Sequence, residues 1–161
     1  LAARQALFLT EDKLMKLVSI STTLLDKYQN DPEVLTKSGR LYVLVVRLKY
    51  KGHSQDFAIP IRSNIPASAP KSQYFALPPR PSTRPRNRHG LHYIKMFPVT
   101  KEYLIRYRTE GNAFATLIQT IINKNTKRIV QESQQYLNDY EAGKRPLYST
   151  DIDYLLSLLH S

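Results

Sequence analysis

Arg62 and Ser63 stand side by side at the end of the apolar run Phe57 to Ile61, inside a stretch that holds no acid. From Phe57 to Lys101 the chain carries eight basic residues (Arg62, Lys71, Arg80, Arg84, Arg86, Arg88, Lys95 and Lys101), two histidines (His89 and His92) and no Asp or Glu. A guanidinium offers a planar fork of donors that matches two phosphate oxygens. A neighbouring hydroxyl adds another donor, and an imidazole with its ordinary pKa of about 6.5 takes or gives a proton at neutral pH. Together these side chains suit work on a phosphate group. Each also has a plainer reading. Arg62 reads as a solvated cation at a strand end, Ser63 as a turn residue and His92 as a half-buried strand residue. His89 and His53, each beside a glycine turn, are rival proton carriers. His89-x-x-His92 has a spacing that a metal can use, but no carboxylate or cysteine lies near it, so neither a metal nor another cofactor is expected.

The frame that must position these groups is one domain, residues 1–161, a length that buries a real core. With 42% hydrophobic and 23% charged residues the composition is that of a soluble globular chain. No apolar run approaches the roughly 20 residues of a membrane span, no secretory leader is read at Leu1 to Thr10, and the start without Met reads as a processed one. The absence of cysteine excludes disulfides, thiolate nucleophiles and Cys-based zinc sites, and a cytoplasmic location is expected. The net charge of +11 points to a polyanionic partner. Eight of those charges fall in the acid-free segment, so the excess is local. Phosphate-binding glycine loops, nucleophile elbows and paired carboxylates are missing from that segment.

Periodicity supplies the elements. Leu7-Phe8-Leu9 reads as a short strand, and Thr10-Glu11-Asp12 as the start of a helix through Leu14, Leu17, Val18 and Leu25 to about Lys27, stopped by Asn30-Asp31-Pro32. Arg40 to Tyr50 is the strongest strand pattern, its first half buried on both faces. Lys51-Gly52-His53 is a tight turn, so Ser54 to Pro60 returns antiparallel and carries Arg62-Ser63 back towards Arg40. Eight of the ten prolines fall between Pro60 and Pro98. Lys71 to Leu77 reads as a short strand, Pro78 to Arg88 as a loop that forms no regular ladder, and His92 to Phe97 as a strand. Thr100-Lys101-Glu102 begins a helical turn. Gly111 to Gly143 reads as one long helix carrying Phe114, Leu117, Ile118, Ile121 and Ile122, and Thr150-x-x-Asp153 as a capping box ahead of a short terminal helix.

The order of these elements and the residues at their joints resemble the ToxN/AbiQ-like endoribonuclease toxins of type III toxin–antitoxin systems, nearest the CptN and TenpN branches. The carrying pieces are Arg40-Leu41-Tyr42, Lys51-Gly52-His53, Ala58-Ile59-Pro60-Ile61-Arg62-Ser63, His92-Tyr93-Ile94-Lys95-Met96-Phe97-Pro98-Val99 and the helix ending near Gly143. The resemblance implies an α+β fold: a highly twisted antiparallel sheet, a small barrel of the Kid and MazF kind, with packed helices including the long one near the C-terminus. It implies metal-independent cleavage of cellular or phage RNA, a role in phage defence or in plasmid maintenance, and neutralisation by a small repeat-encoded antitoxin RNA in an assembly of alternating protein and RNA. Much of that family has a Thr-Ser pair after the proline and a lysine two positions beyond the serine. Here Ser63 matches, Arg62 replaces the threonine and Ile65 stands at the lysine position. The basic residue at the start of the long strand corresponds to Arg40.

Metal-free cleavage of RNA is an attack by the ribose 2′-OH on the adjacent phosphorus that leaves a 2′,3′-cyclic phosphate and a 5′-OH. The protein must stabilise added charge on the phosphoryl oxygens and move two protons. Arg62 suits the charge role, Ser63 a donated hydrogen bond, His92 the proton transfer, and Arg40 and Tyr42 the orientation of backbone or base. Tyr42 also reads as core. Lys51, Arg80, Arg84, Arg86, Arg88, His89 and Lys95 complete the expected RNA contact, with Arg84 to Arg88 a loop that orders on RNA. Two other classes stay open: a non-catalytic RNA-binding module, for which the charge suffices, and a toxin on the same kind of barrel that acts on a protein.

Overall fold

The computed structural model describes residues 15–35, 42–107 and 111–161. Its centre is a hairpin of β2 (Tyr42–Tyr50) and β3 (His53–Ile65), in register from Tyr50↔His53 to Val43↔Pro60. The connection is two residues, with Lys51 at φ 49° and Gly52 at φ 80°. Two successive positive φ values match the right-handed twist of the strands they join. Strand β2 alternates as its sequence dictates. Leu44, Val46 and Leu48 enter one core and Val43 the other, while Arg47 and Lys49 replace apolar residues where the second face meets solvent.

At Pro60, which has no N–H to give a ladder, β3 leaves β2 and carries on with a partner on its other side. That partner is β5 (Arg88–His92), paired at Ile61↔Leu91 and Arg62↔Gly90, then after a register shift at Ile65↔Arg88. Strand β4 (Tyr74–Leu77) lies outside β5, and β6 (Phe97–Pro98) pairs β3 at Phe57 and Ala58. On the opposite side β1 (Leu17–Ile20) pairs both β2 and β7 (Leu104–Arg106). Among the described residues this gives a seven-stranded antiparallel, twisted sheet in the order β4-β5-β3-β2-β1-β7, with β6 beside β3. It remains open, because β4 and β7 are not neighbours.

Two helix layers cover it. Helices α2 (Ala113–Lys124) and α3 (Thr126–Glu141) place Ile118, Ile122, Ile129 and Leu137 against Leu44, Phe57, Ile59 and Leu91. Helices α1 (Thr22–Lys27) and α4 (Ile152–Leu159) place Leu24, Leu25, Leu155 and Leu159 against Val43, Ala58 and Phe97. Consecutive residues of β2 and β3 therefore face different cores.

Several expectations need correction. The helix expected up to Lys27 is a strand over Leu17–Ile20 followed by six helical residues capped by the Ser21 hydroxyl, which accepts from Thr23 N at 3.2 Å. Pairing with two strands outweighs the helical spacing of Leu14, Leu17 and Val18. The long helix is two helices, divided at Asn125 (φ −120°), where the side chains of Asn125 and Thr126 donate to Ile121 O (2.8 Å) and Ile122 O (3.2 Å). Side chains that bond to nearby carbonyls compete with the helix ladder there. The strand expected over His92 to Phe97 is interrupted by a single 3₁₀ turn, Tyr93–Lys95, between β5 and β6. The last helix is capped by Asp151, whose carboxylate accepts from Tyr154 N at 3.2 Å, while Thr150 donates its hydroxyl to Met96 O. Leu7 to Leu9, Thr10 to Asp12 and Arg40 lie outside the described residues.

Gly90 lets β4 and β5 approach. A Cβ at this position would sit 2.3 Å from Phe75 O, so β4 would have to move. Gly90→Ala should therefore destabilise the fold by about 1–3 kcal/mol, read as a lower urea midpoint with an unchanged slope; an unaltered midpoint would show that β4 yields freely.

Candidate active site

Strand alternation decides which expected site residues meet. Arg62 pairs Gly90, and His92 lies two residues from Gly90 along β5, so Arg62 and His92 share the sheet face covered by α1 and α4. Ile61, Leu91 and His89 occupy the other face. The 3₁₀ turn after His92 takes Lys95 off the ladder, and the three residues Arg62, His92 and Lys95 line one cavity of about 680 Å³. Glu33, from the loop after α1, and Pro146, Leu147 and Tyr148, from the loop before α4, wall it.

Within the cavity the charges are unevenly matched. Lys95 is nearly buried, and its ammonium donates to Glu33 Oε2 and to Tyr148 O (2.7 Å). The guanidinium of Arg62, half-buried, has no ion pair or hydrogen bond among the described residues. His92 is buried at the cavity floor, and neither ring nitrogen has a hydrogen-bond partner there. Burial, and then the positive charges of Arg62 and Lys95, push its pKa down to about 3. The free protein therefore holds a neutral imidazole between two cations, a state that accepts a proton or donates a neutral N–H.

The remaining expected residues disperse. His89 is buried on the opposite face, donating Nδ1–H to Pro78 O at 2.7 Å, and burial lowers its pKa. It lines a small cavity of about 40 Å³ with Tyr42, Tyr107, Phe114 and Arg80. Tyr42 is half-buried there with its ring 4.4 Å from that of Tyr107, and Arg80 lies 5.5 Å over the Phe114 ring. With His89 and His92 on opposite faces, the two cannot share a ligand. Ser63 follows Arg62 within the register shift of β3 and does not line the larger cavity. Lys51 lies at the far end of the hairpin, its ammonium 3.1 Å from Asp153. Arg84 and Arg86 are exposed along the proline-rich loop, and Arg88, expected in that loop, is exposed at the start of β5 where it pairs Ile65. Asn64 holds that loop, accepting from Arg84 N (2.8 Å) and donating to Ser82 O (3.1 Å).

Sequence reasoning passed over Glu33, Asn64, Leu147 and Tyr148. Glu33 follows Asp31-Pro32, whose aspartate accepts from Glu33 N and Asp151 N, both at 2.9 Å. The helix-stop reading of Asp31 gave no sign of that second bond, made 120 residues away. The exposed apolar pair Leu147-Tyr148 after a proline was the signal available for the other wall.

His92 ties stability to pH. Its folded pKa lies below the unfolded value of about 6.5, so below that value the unfolded chain binds the proton first. Stability is complete above about pH 6.5 and falls as the pH drops towards 3, by at most about 1.4 kcal/mol per pH unit from this one group. The difference in unfolding free energy between the wild-type protein and His92→Asn should grow more favourable to the variant from pH 6.5 to 5, measured by urea titration; parallel profiles would show a protonatable His92.

No family model and no curated protein sequence matches the chain. Its fold does match solved structures. AbiQ, a lactococcal anti-phage endoribonuclease belonging to the type III toxin–antitoxin system, is similar with a TM-score of 0.70 at 15% identity, over 91% of this chain and 96% of that one. A protein of a bacterial antiviral system regulated by a processed non-coding RNA gives 0.67 at 16% identity, over 91% and 98%. A chain from a type III toxin–antitoxin system, in which a non-coding RNA pseudoknot selectively inhibits the toxin, gives 0.68 at 14%, over 90% and 95%. Among the described residues no helix is long and apolar enough to cross a membrane. The chain thus has the α+β fold of the ToxN/AbiQ-like toxins of type III toxin–antitoxin systems, the resemblance its hairpin and strand ends carry.

Proposed function

We propose that this protein is an endoribonuclease toxin that cleaves RNA without a metal and is neutralised by a small antitoxin RNA with which it assembles. The observation that carries the reading is the cavity in which Arg62, without an ion-pair partner among the described residues, faces a buried neutral His92 beside Lys95. An arginine held without a counter-charge is ready for an anion, and its fork suits two phosphoryl oxygens. The fold shared with AbiQ supports the same class.

The steps follow from the states of these groups. Arg62 binds the scissile phosphate and stabilises the charge that builds as the 2′-oxygen adds to phosphorus. His92 takes the 2′-OH proton. The anion bound beside it offsets the repulsion from Arg62 and Lys95 and raises the affinity of the ring for that proton. The P–O5′ bond breaks as O5′ takes the proton that His92 carries, leaving a 2′,3′-cyclic phosphate, a 5′-OH and a neutral imidazole again. Ser63 and Tyr42 orient the RNA backbone from outside the cavity, and the exposed Arg84, Arg86 and Arg88, with Arg80 and Lys51, serve RNA binding rather than chemistry. A second reading, binding without cleavage, is favoured by the low proton affinity of His92 in the free protein.

Incubation with a long RNA in EDTA separates the two. Fragments ending in cyclic phosphate support cleavage, and intact RNA at large enzyme excess overturns it. Arg62→Ala should lower kcat/KM by about 100-fold or more, as loss of a charge-stabilising donor does. His92→Ala should abolish cleavage while antitoxin binding persists.

A further inference from the structure

The wall of the cavity contributed by the loop before α4 is built unlike a core segment. Leu147 is 82% and Tyr148 72% exposed, the largest exposures among the bulky apolar side chains described. The backbone that carries them is nevertheless fixed on both sides. Tyr148 O accepts from Lys95 at 2.7 Å, Ser149 Oγ donates to Pro146 O at 2.7 Å, and Arg145 donates to Ser149 Oγ (3.1 Å) and Ser149 O (3.2 Å). One residue on, Thr150 N donates to Ile94 O at 3.0 Å. Tyr148 itself sits at φ 64°, a left-handed conformation that a bulky residue adopts only when its surroundings impose it. A held backbone thus presents an aromatic ring and an aliphatic side chain to solvent, at the rim of a cavity with Arg62 and His92 in it.

We propose that Tyr148, backed by Leu147, is a base-stacking residue that receives the face of an unpaired nucleobase while Arg62 holds a phosphate of the same strand. This rests on the RNA-cleaving reading and adds a residue that selects single-stranded substrate. The occupant follows from the mixture of groups. Glu33, the carboxylate lining the cavity, is engaged by Lys95, so Arg62 supplies the uncompensated charge and calls for an anion. An anion that also covers an exposed ring has a flat apolar face close to its charge, and an unpaired nucleotide has both. An acidic peptide would satisfy Arg62 and leave the ring uncovered.

The chain contains no Trp, so Tyr148→Trp creates a single indole at this position. A short 2′-O-methyl oligonucleotide, which lacks the attacking hydroxyl, should quench its emission on titration, whereas an abasic strand of equal length or polyglutamate should not. Anisotropy of the labelled oligonucleotide should show Tyr148→Ala binding about 10-fold more weakly and Tyr148→Phe binding about as well as the wild type. Tight oligonucleotide binding with no quench, or equal quenching by the abasic strand or polyglutamate, overturns the stacking role and leaves the cleavage reading standing. Failure of the wild-type protein to bind or cleave any RNA overturns both.

Discussion

The Lys95 ammonium ties three segments that are far apart in the chain. The 3₁₀ turn between β5 and β6 carries it, Glu33 from the loop after α1 neutralises it, and the Tyr148 carbonyl before α4 accepts from it. Its side chain is 7% exposed, so loss of Glu33 would strand a buried cation at a cost of about 3–5 kcal/mol. Asp31 reinforces the arrangement by holding both the Glu33 and the Asp151 backbone N–H groups. The turn after β5 and the two loops bearing Glu33 and Tyr148 are thereby tied together at the cavity.

The second constraint is the change of partner along β3. Up to Pro60 it pairs β2, and beyond it β5. The helix layer of α1 and α4 covers the earlier part of this face through Val43 and Ala58. Further along, the same face carries Arg62 and His92, and there the loops bearing Glu33 and Tyr148 form walls instead of a lid. The cavity is where the sheet extends past its helical cover.

Electrostatics then sets the resting state of the site. Among the described residues the buried His92 imidazole has no hydrogen-bond partner and the Arg62 guanidinium no counter-charge, so the ring, close to Arg62 and Lys95, stays neutral. An anion placed at Arg62 would change both terms together, since it would satisfy the guanidinium and relieve the repulsion on His92.

The sequence by itself determined what depends on local pattern. The β2–β3 hairpin follows from a β-branched run and a Gly52 turn. The acid-free basic segment, the irregular loop that begins at Pro78 and gives way to β5 at Arg88, and the amphipathic stripe of Ile118 and Ile122 were equally legible. The placing of Arg62 with His92 required the register of β3 on β5, because a shift of one residue would turn every side chain to the other face. Alternation along β5 separates His89 from His92, the register shift after Arg62 leaves Ser63 off the cavity, and the hairpin turn keeps Lys51 at the other end of the sheet. The break at Asn125 and the strand at Leu17–Ile20 were decided by side-chain bonds and strand pairings that no helical period records. Glu33 and Tyr148 reach Lys95 across 62 and 53 residues. Contacts at such separations exist only once the chain has closed on itself, and the wall of the site was for that reason a property of the tertiary structure.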